Sequence, residues 1–166
     1  MLRMGDTMRL DVAGLGIIMY SPSSGVHIVP GEDYLTKHLW KERDVQRHIQ
    51  EGKLVVFQTG PGTYFLKMLS GYPEPNHFRS AEYKYRIGIR VTDSRVCIRD
   101  LYDLLSWDPM CPETQVLGME NGIFHVTLVS NEPASGVLGD EQLIEVYFTK
   151  LDEWPALATE GIPTLM

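Results

Sequence analysis

Apolar and polar residues alternate with period two along most of this chain, the signature of strands with one face in a core and the other toward solvent. In YKYRIGIRV, residues 83–91, Tyr83, Tyr85, Ile87, Ile89 and Val91 face one way and Lys84, Arg86, Gly88 and Arg90 the other. After Thr92, Asp93 and Ser94 comes RVCIRD, in which Val96 and Ile98 alternate with Arg95, Cys97 and Arg99, and the two runs together predict a hairpin. QLIEVYFT, residues 142–149, sets Ile144, Val146 and Phe148 against Glu145 and Tyr147. GIIMY and VHIVP flank SPSSG and predict strand, turn, strand.

The exception is residues 33–50, DYLTKHLWKERDVQRHIQ. This stretch is charged, lacks Gly and Pro, and places Leu35, Leu39, Val45 and Ile49 at spacings that partly suit a helix, with Gly52 as its stop. It predicts one main helix, and DLYDLLSW, residues 100–107, adds a short turn in which strand and helix periods compete. The expected fold is mainly β, an antiparallel sandwich or barrel-like sheet protein, in a single domain over residues 1–166.

Residues 54–68, LVVFQTGPGTYFLKM, and residues 116–130, VLGMENGIFHVTLVS, make the same move. Each has a turn rich in Gly or Asn, an aromatic two residues after a glycine (Tyr64 after Gly62, Phe124 after Gly122), and then alternation. A phosphate cradle needs converging N–H groups at a helix N-terminus and a Lys then Ser or Thr after the last glycine. Pro61 removes one N–H, Thr63 and Tyr64 follow Gly62, and the continuation reads as strand, so Gly-Pro-Gly is a turn. AGLGIIM, residues 13–19, lacks the third glycine of a dinucleotide fingerprint and lies in a strand.

With 43% hydrophobic and 22% charged residues among 166, the composition is that of an ordinary soluble domain. The start, MLRMGDTMRLDV, is not a secretory signal, and no apolar stretch is long enough to cross a bilayer, so the expected place is the cytoplasm. Cys97 and Cys111 lie 14 apart and read as two reduced thiols. The net charge of −7 is concentrated at one end. From residue 131 onward, Glu132, Asp140, Glu141, Glu145, Asp152, Glu153 and Glu160 face only Lys150. Such a surface repels nucleic acid and attracts basic partners.

Candidate chemistry is sparse. Asp44 and His48 share a helix face as two points of a metal site, short of the three or four ligands zinc needs, so a surface ion pair is the simpler reading. No metal and no cofactor is expected. The sequence holds no GxSxG elbow, and adjacent acids at Asp140-Glu141 and Asp152-Glu153 point different ways in a strand, so no catalytic residue is assigned. Trp40, Trp107 beside Asp108, and Trp154 sit near turns, as lids on the sheet or as interface anchors. SGVLGDEQ, residues 135–142, reads as a mobile acidic loop.

The order of YRIGIRVTDSRVCIRD, ENGIFHVTLVS and LIEVYF resembles small bacterial β-rich immunity and inhibitor proteins, the competence-nuclease-inhibitor type among them. GKLVVFQTGPGTYFLKM, DLYDLLSWDP and ASGVLGDEQ are also similar to an uncharacterised bacterial family found near toxin genes. The resemblance spans roughly residues 45–165, and the N-terminal strands and helix depart from the inhibitor pattern. It implies action by binding.

The function expected is therefore a non-catalytic protein-binding module, an immunity protein that meets a basic toxin, such as a nuclease, through Glu132, Asp140, Glu141, Asp152, Glu153, Trp107 and Asp108. The alternative is a small β-sandwich or barrel enzyme or ligand carrier with an internal pocket. A homodimer through the open edge of YKYRIGIRV is a third expectation.

Overall fold

Nine strands form two sheets in a computed structural model that describes residues 1–157 and 163–166. The strands are β1 (Thr7–Val12), β2 (Gly16–Tyr20), β3 (Leu54–Gln58), β4 (Gly62–Ser70), β5 (Tyr83–Val91), β6 (Arg95–Asp100), β7 (Val116–Gly118), β8 (Gly122–Ser130) and β9 (Gln142–Leu151). One sheet runs β1-β4-β9-β8-β5 and the other β3-β2-β6-β7. All pairs are antiparallel except β4 with β9, which makes the larger sheet mixed. Neither sheet closes into a barrel.

The alternating runs and the continuous apolar runs went to different sheets for a physical reason. In the five-stranded sheet one face is packed and the other is polar, so Tyr64, Leu66 and Met68, Phe124, Val126 and Leu128, and Ile144, Val146 and Phe148 point inward in step. GIIMY and the first four residues of LVVFQ are buried throughout, because the four-stranded sheet is covered on both faces. Its second cover is helical: α1 (Tyr34–His38), α2 (Glu42–Glu51) and a 3-10 turn at Leu101–Leu105, which bury Leu35, Leu39, Val45, Ile49 and Leu104.

Four connections carry the chain from one sheet to the other. The runs at 83–91 and 95–100 are not a hairpin: β5 pairs only with β8, and β6 lies between β2 and β7. Asp93 and Ser94, at φ 59° and 54°, do make a tight turn with a single Thr92–Arg95 bridge, after which the strands diverge. The Gly-Pro-Gly turn between β3 and β4 and the Asn121-Gly122 turn before β8 both pass from the smaller sheet to the larger, with Gly62 at φ 147° and Gly122 at φ 146°. Residues 26–30 are not a strand; Pro22–Gly25 forms a 3-10 turn and the chain continues without pairing.

The single helix expected over 33–50 is two. Leu39 and Val45 are six apart, which misses the 3.6-residue period, and the chain breaks at residues 39–41 with Lys41 extended. Asp33 caps α1 by accepting from Thr36 N at 2.9 Å, and Gly52, at φ 70°, ends α2. A third helix, α3 (Pro75–Ser80), was not foreseen; Glu74 caps it and Pro75 opens it. His48 is buried, and the surface ion pair with the Asp44 carboxylate does not form. Its Nδ1–H donates to Asp44 O at 2.6 Å, which leaves Nε2 to accept the Tyr34 hydroxyl at 2.8 Å.

The edges of the smaller sheet are covered by the chain itself. Residue 2 bridges to Leu117 on β7, and Gln58 on β3 pairs with residues 163–165. In the larger sheet β1 and β5 are edge strands; β5 carries Lys84, Arg86 and Arg90 along its outward face.

Candidate functional site

The acidic end of the sequence is organised by the loop that joins β8 to β9. Gln142, the first residue of β9, is buried, and its side chain ties the loop down at both ends. Its Oε1 accepts Gly139 N–H at 2.9 Å, its Nε2 donates to Ser130 Oγ at 2.8 Å, and Ser130 Oγ donates to Leu143 O at 2.6 Å. Gly139 is buried against Gly62, and Thr63 N–H donates to Gly139 O at 2.8 Å. The stretch expected to be mobile is thus pinned at residues 139–142, while residues 132 and 134–137 are exposed.

Pinning the base of the loop gathers its acids. Glu132, Asp140, Glu141 and Glu145 line one open depression of about 460 Å³, with Leu143 and Val129 as apolar floor. No lysine or arginine is among its described lining residues. Glu141 holds φ 51°, a left-handed conformation that projects its carboxylate from the loop just before β9 begins. Glu145 is the most structured of the four: His77 Nε2 donates to its Oε1 at 2.6 Å, and the Tyr147 hydroxyl to its Oε2 at 3.1 Å. Burial, with the Glu145 charge added, pushes the Tyr147 hydroxyl up to about 12.

Beside the depression the outer face of the sheet changes sign. Arg86 lies between the rings of Tyr72, at 4.9 Å, and Phe78, at 4.8 Å, and its Nε donates to Thr127 Oγ1 at 2.8 Å. The Tyr72 hydroxyl and His125 Nδ1 are 2.7 Å apart.

The seven residues singled out in the sequence fall in three places. Glu132, Asp140 and Glu141 share the depression. Asp152 and Glu153 are exposed just past the far end of β9, whose ten residues separate the two acidic groups by about 30 Å. Trp107 and Asp108 belong to the other sheet's end, held by Gly31 N–H donating to Trp107 O at 2.7 Å. Trp107 is 3% exposed and lies edge-on to Tyr20 under Arg99, whereas Asp108 is exposed beside it. Glu160 lies outside the described residues. Sequence reasoning counted Glu145 among the acids but missed it as part of the site, and missed His77; the alternation of QLIEVYFT already put Glu145 on the outer face. Among the described residues no three His, Cys, Asp or Glu side chains converge as a metal site.

No protein-family model matches this chain, and no curated protein does. Among solved structures it is similar to ComJ from Bacillus subtilis, an inhibitor of the DNA-degrading activity of NucA. That match has a TM-score of 0.51 at 12% identity and covers 91% of this chain and 99% of ComJ. The chain shares the ComJ fold. The resemblance to the competence-nuclease-inhibitor type therefore holds for the architecture. A second similar structure, crocagin biosynthetic gene J, has a TM-score of 0.48 at 14% identity, covering 86% of this chain and 96% of the other. No helix among the described residues is long and apolar enough to cross a membrane.

Proposed function

We propose that this chain is a non-catalytic binding module of the cytoplasm that neutralises a basic protein toxin, a nuclease in the first instance, by presenting carboxylates to its cationic cleft. The observation that carries the reading is the convergence of Glu132, Asp140, Glu141 and Glu145 on one depression whose base is fixed by Gln142 and Gly139. A nuclease cleft built for phosphates is complementary to such a cluster, and carboxylates held in place lose less freedom on binding than those on a free loop. The shared fold with a nuclease inhibitor supports the same direction. Asp152 and Glu153 form a second acidic point about 30 Å away, for a partner wide enough to span β9. Asp108 belongs to a separate surface, with Trp107 beneath it.

A ligand carrier is the weaker reading. An apolar cavity lined by Leu35, Leu39, Trp40, Val56 and Phe57 holds about 210 Å³, below the roughly 300–1,000 Å³ of usual small-molecule sites. The test is inhibition of purified bacterial nucleases, NucA first, with the wild-type chain and with E132Q/D140N/E141Q. Loss of inhibition in the folded triple variant supports the proposal; full inhibition by it refutes the acidic surface.

A further inference from the structure

Away from the acidic loop, β6, the turn at Pro22–Gly25 and residues 107–111 enclose a cavity of about 230 Å³. Both cysteines line it, with Tyr20, Arg95, Trp107 and Met110. Fourteen residues apart in sequence, the two thiols face the same cavity, and both are free. Cys97 is buried on β6, and Cys111 is half-buried on the segment leading into β7, where its thiol faces Pro112 O at 3.7 Å and Gln115 O at 3.8 Å.

We propose that Cys97 and Cys111 are a redox-active dithiol, which hydrogen peroxide entering this cavity converts to an intrachain disulfide. The Cys97 thiolate sulfur attacks a peroxide oxygen and the O–O bond breaks; Cys97 becomes a sulfenic acid, and the leaving hydroxide takes the Cys97 proton and departs as water. The Cys111 sulfur then attacks the Cys97 sulfur, forming the S–S bond and expelling the sulfenic hydroxide, which takes the Cys111 proton as a second water. Two thiols lose two electrons and two protons, and one peroxide is reduced to two waters.

The surroundings separate the two roles. The neighbouring Cys111 thiol lowers the Cys97 thiol below its ordinary range against the opposing effect of burial, and the Tyr20 hydroxyl, Arg99 and Arg95 add to it. Cys111, half-buried on the same cavity, is then the resolving thiol. The cavity gives a peroxide the access to Cys97 that its burial would otherwise deny.

The test treats the full chain with a slight excess of hydrogen peroxide, alkylates it in denaturant, and maps peptides by mass spectrometry. The expected product is a monomer about 2 Da lighter than the reduced chain, with no alkylatable thiol and the Cys97 and Cys111 peptides linked, reversed by dithiothreitol. Cys111→Ser should stop at a dimedone-trappable sulfenic acid on Cys97, and Cys97→Ser should form no intrachain disulfide. Two alkylatable thiols in the treated wild type, or a disulfide-linked dimer as the main product, would overturn the proposal even where a variant fails to fold.

Discussion

Gly62 and Gly139 meet backbone to backbone where β4 starts beside β9: a Cβ on Gly62 would collide with the main chain of Gly139, and one on Gly139 with the carbonyl of Pro61. The two residues are 77 apart in sequence, yet their contact holds the end of the acidic loop that leads into β9. Gly62 sits at φ 147° and Gly139 at φ 85°, so a side chain there meets both strain and overlap.

Gly139→Ala is therefore expected to destabilise the fold by about 2–4 kcal/mol, where an alanine at the exposed Gly136 of the same loop costs about 1 kcal/mol. Urea unfolding midpoints of the two variants measure the difference. Equal midpoints would mean that the loop is not anchored at Gly139.

Ser130→Ala removes the acceptor of the buried Gln142 amide and the donor to Leu143 O together. An unsatisfied buried amide costs about 1–3 kcal/mol, and the loss should appear both in stability and in faster amide exchange at Gly139, whose N–H binds the same glutamine. Exchange at Gly139 as slow as in the wild type would separate the loop from this network.

Arg99 is 4% exposed and donates to Asp103 Oδ2 at 2.9 Å and to Asp108 O at 2.7 Å while covering Trp107 at 4.5 Å. Arg99→Lys keeps the charge but loses the planar fork, and Arg99→Ala also leaves the Asp108 carbonyl without its donor. The expected losses are about 1–2 and about 3–4 kcal/mol, with Trp107 fluorescence shifting to the red as residues 106–110 loosen. An unshifted emission in Arg99→Ala would contradict that anchoring role.

Burial lowers the His48 pKa below its ordinary value, against the opposing hydrogen bond to Asp44 O. The unfolded chain then binds more protons, so stability is full above about pH 6.5 and is lost as the pH falls from there toward the folded value. Protonation would also put a donor against the Tyr34 hydroxyl that now donates to Nε2. His48→Gln should flatten the fall in melting temperature between about pH 7 and pH 5 relative to the wild type. An unchanged slope would show that another group carries it, His125 first, since burial and Arg86 lower it too.

How far these features could be read in advance depended on how local their causes are. Tyr83, Ile87 and Ile89, or Ile144, Val146 and Phe148, announce their strands because one buried face imposes period two on the residues themselves. Thr92-Asp93-Ser94 announces a turn, and the turn is there, but nothing local says that the strands beyond it join different sheets. Leu39 and Val45 carried a legible sign of the helix break in their six-residue gap, and Glu74-Pro75 a sign of α3 in the cap-then-proline order. The acidity of residues 131–153 was visible as charge. Its division into a depression at one end of β9 and Asp152 and Glu153 at the other was not, since that follows from the length of the strand between them. The meeting of Cys97 with Cys111 likewise depends on the path around Leu101–Leu105, which no spacing rule encodes.

The most direct measurement of the proposed function is calorimetric titration of the nuclease it inhibits, inactivated, into this chain at about 50 mM and about 300 mM salt. The wild-type Kd is expected to weaken at least about tenfold across that range, and E132Q/D140N/E141Q to show a weaker Kd at low salt and a flatter dependence. A wild-type affinity indifferent to salt, or a triple variant that binds as tightly as the wild type, would contradict a partner held by these carboxylates.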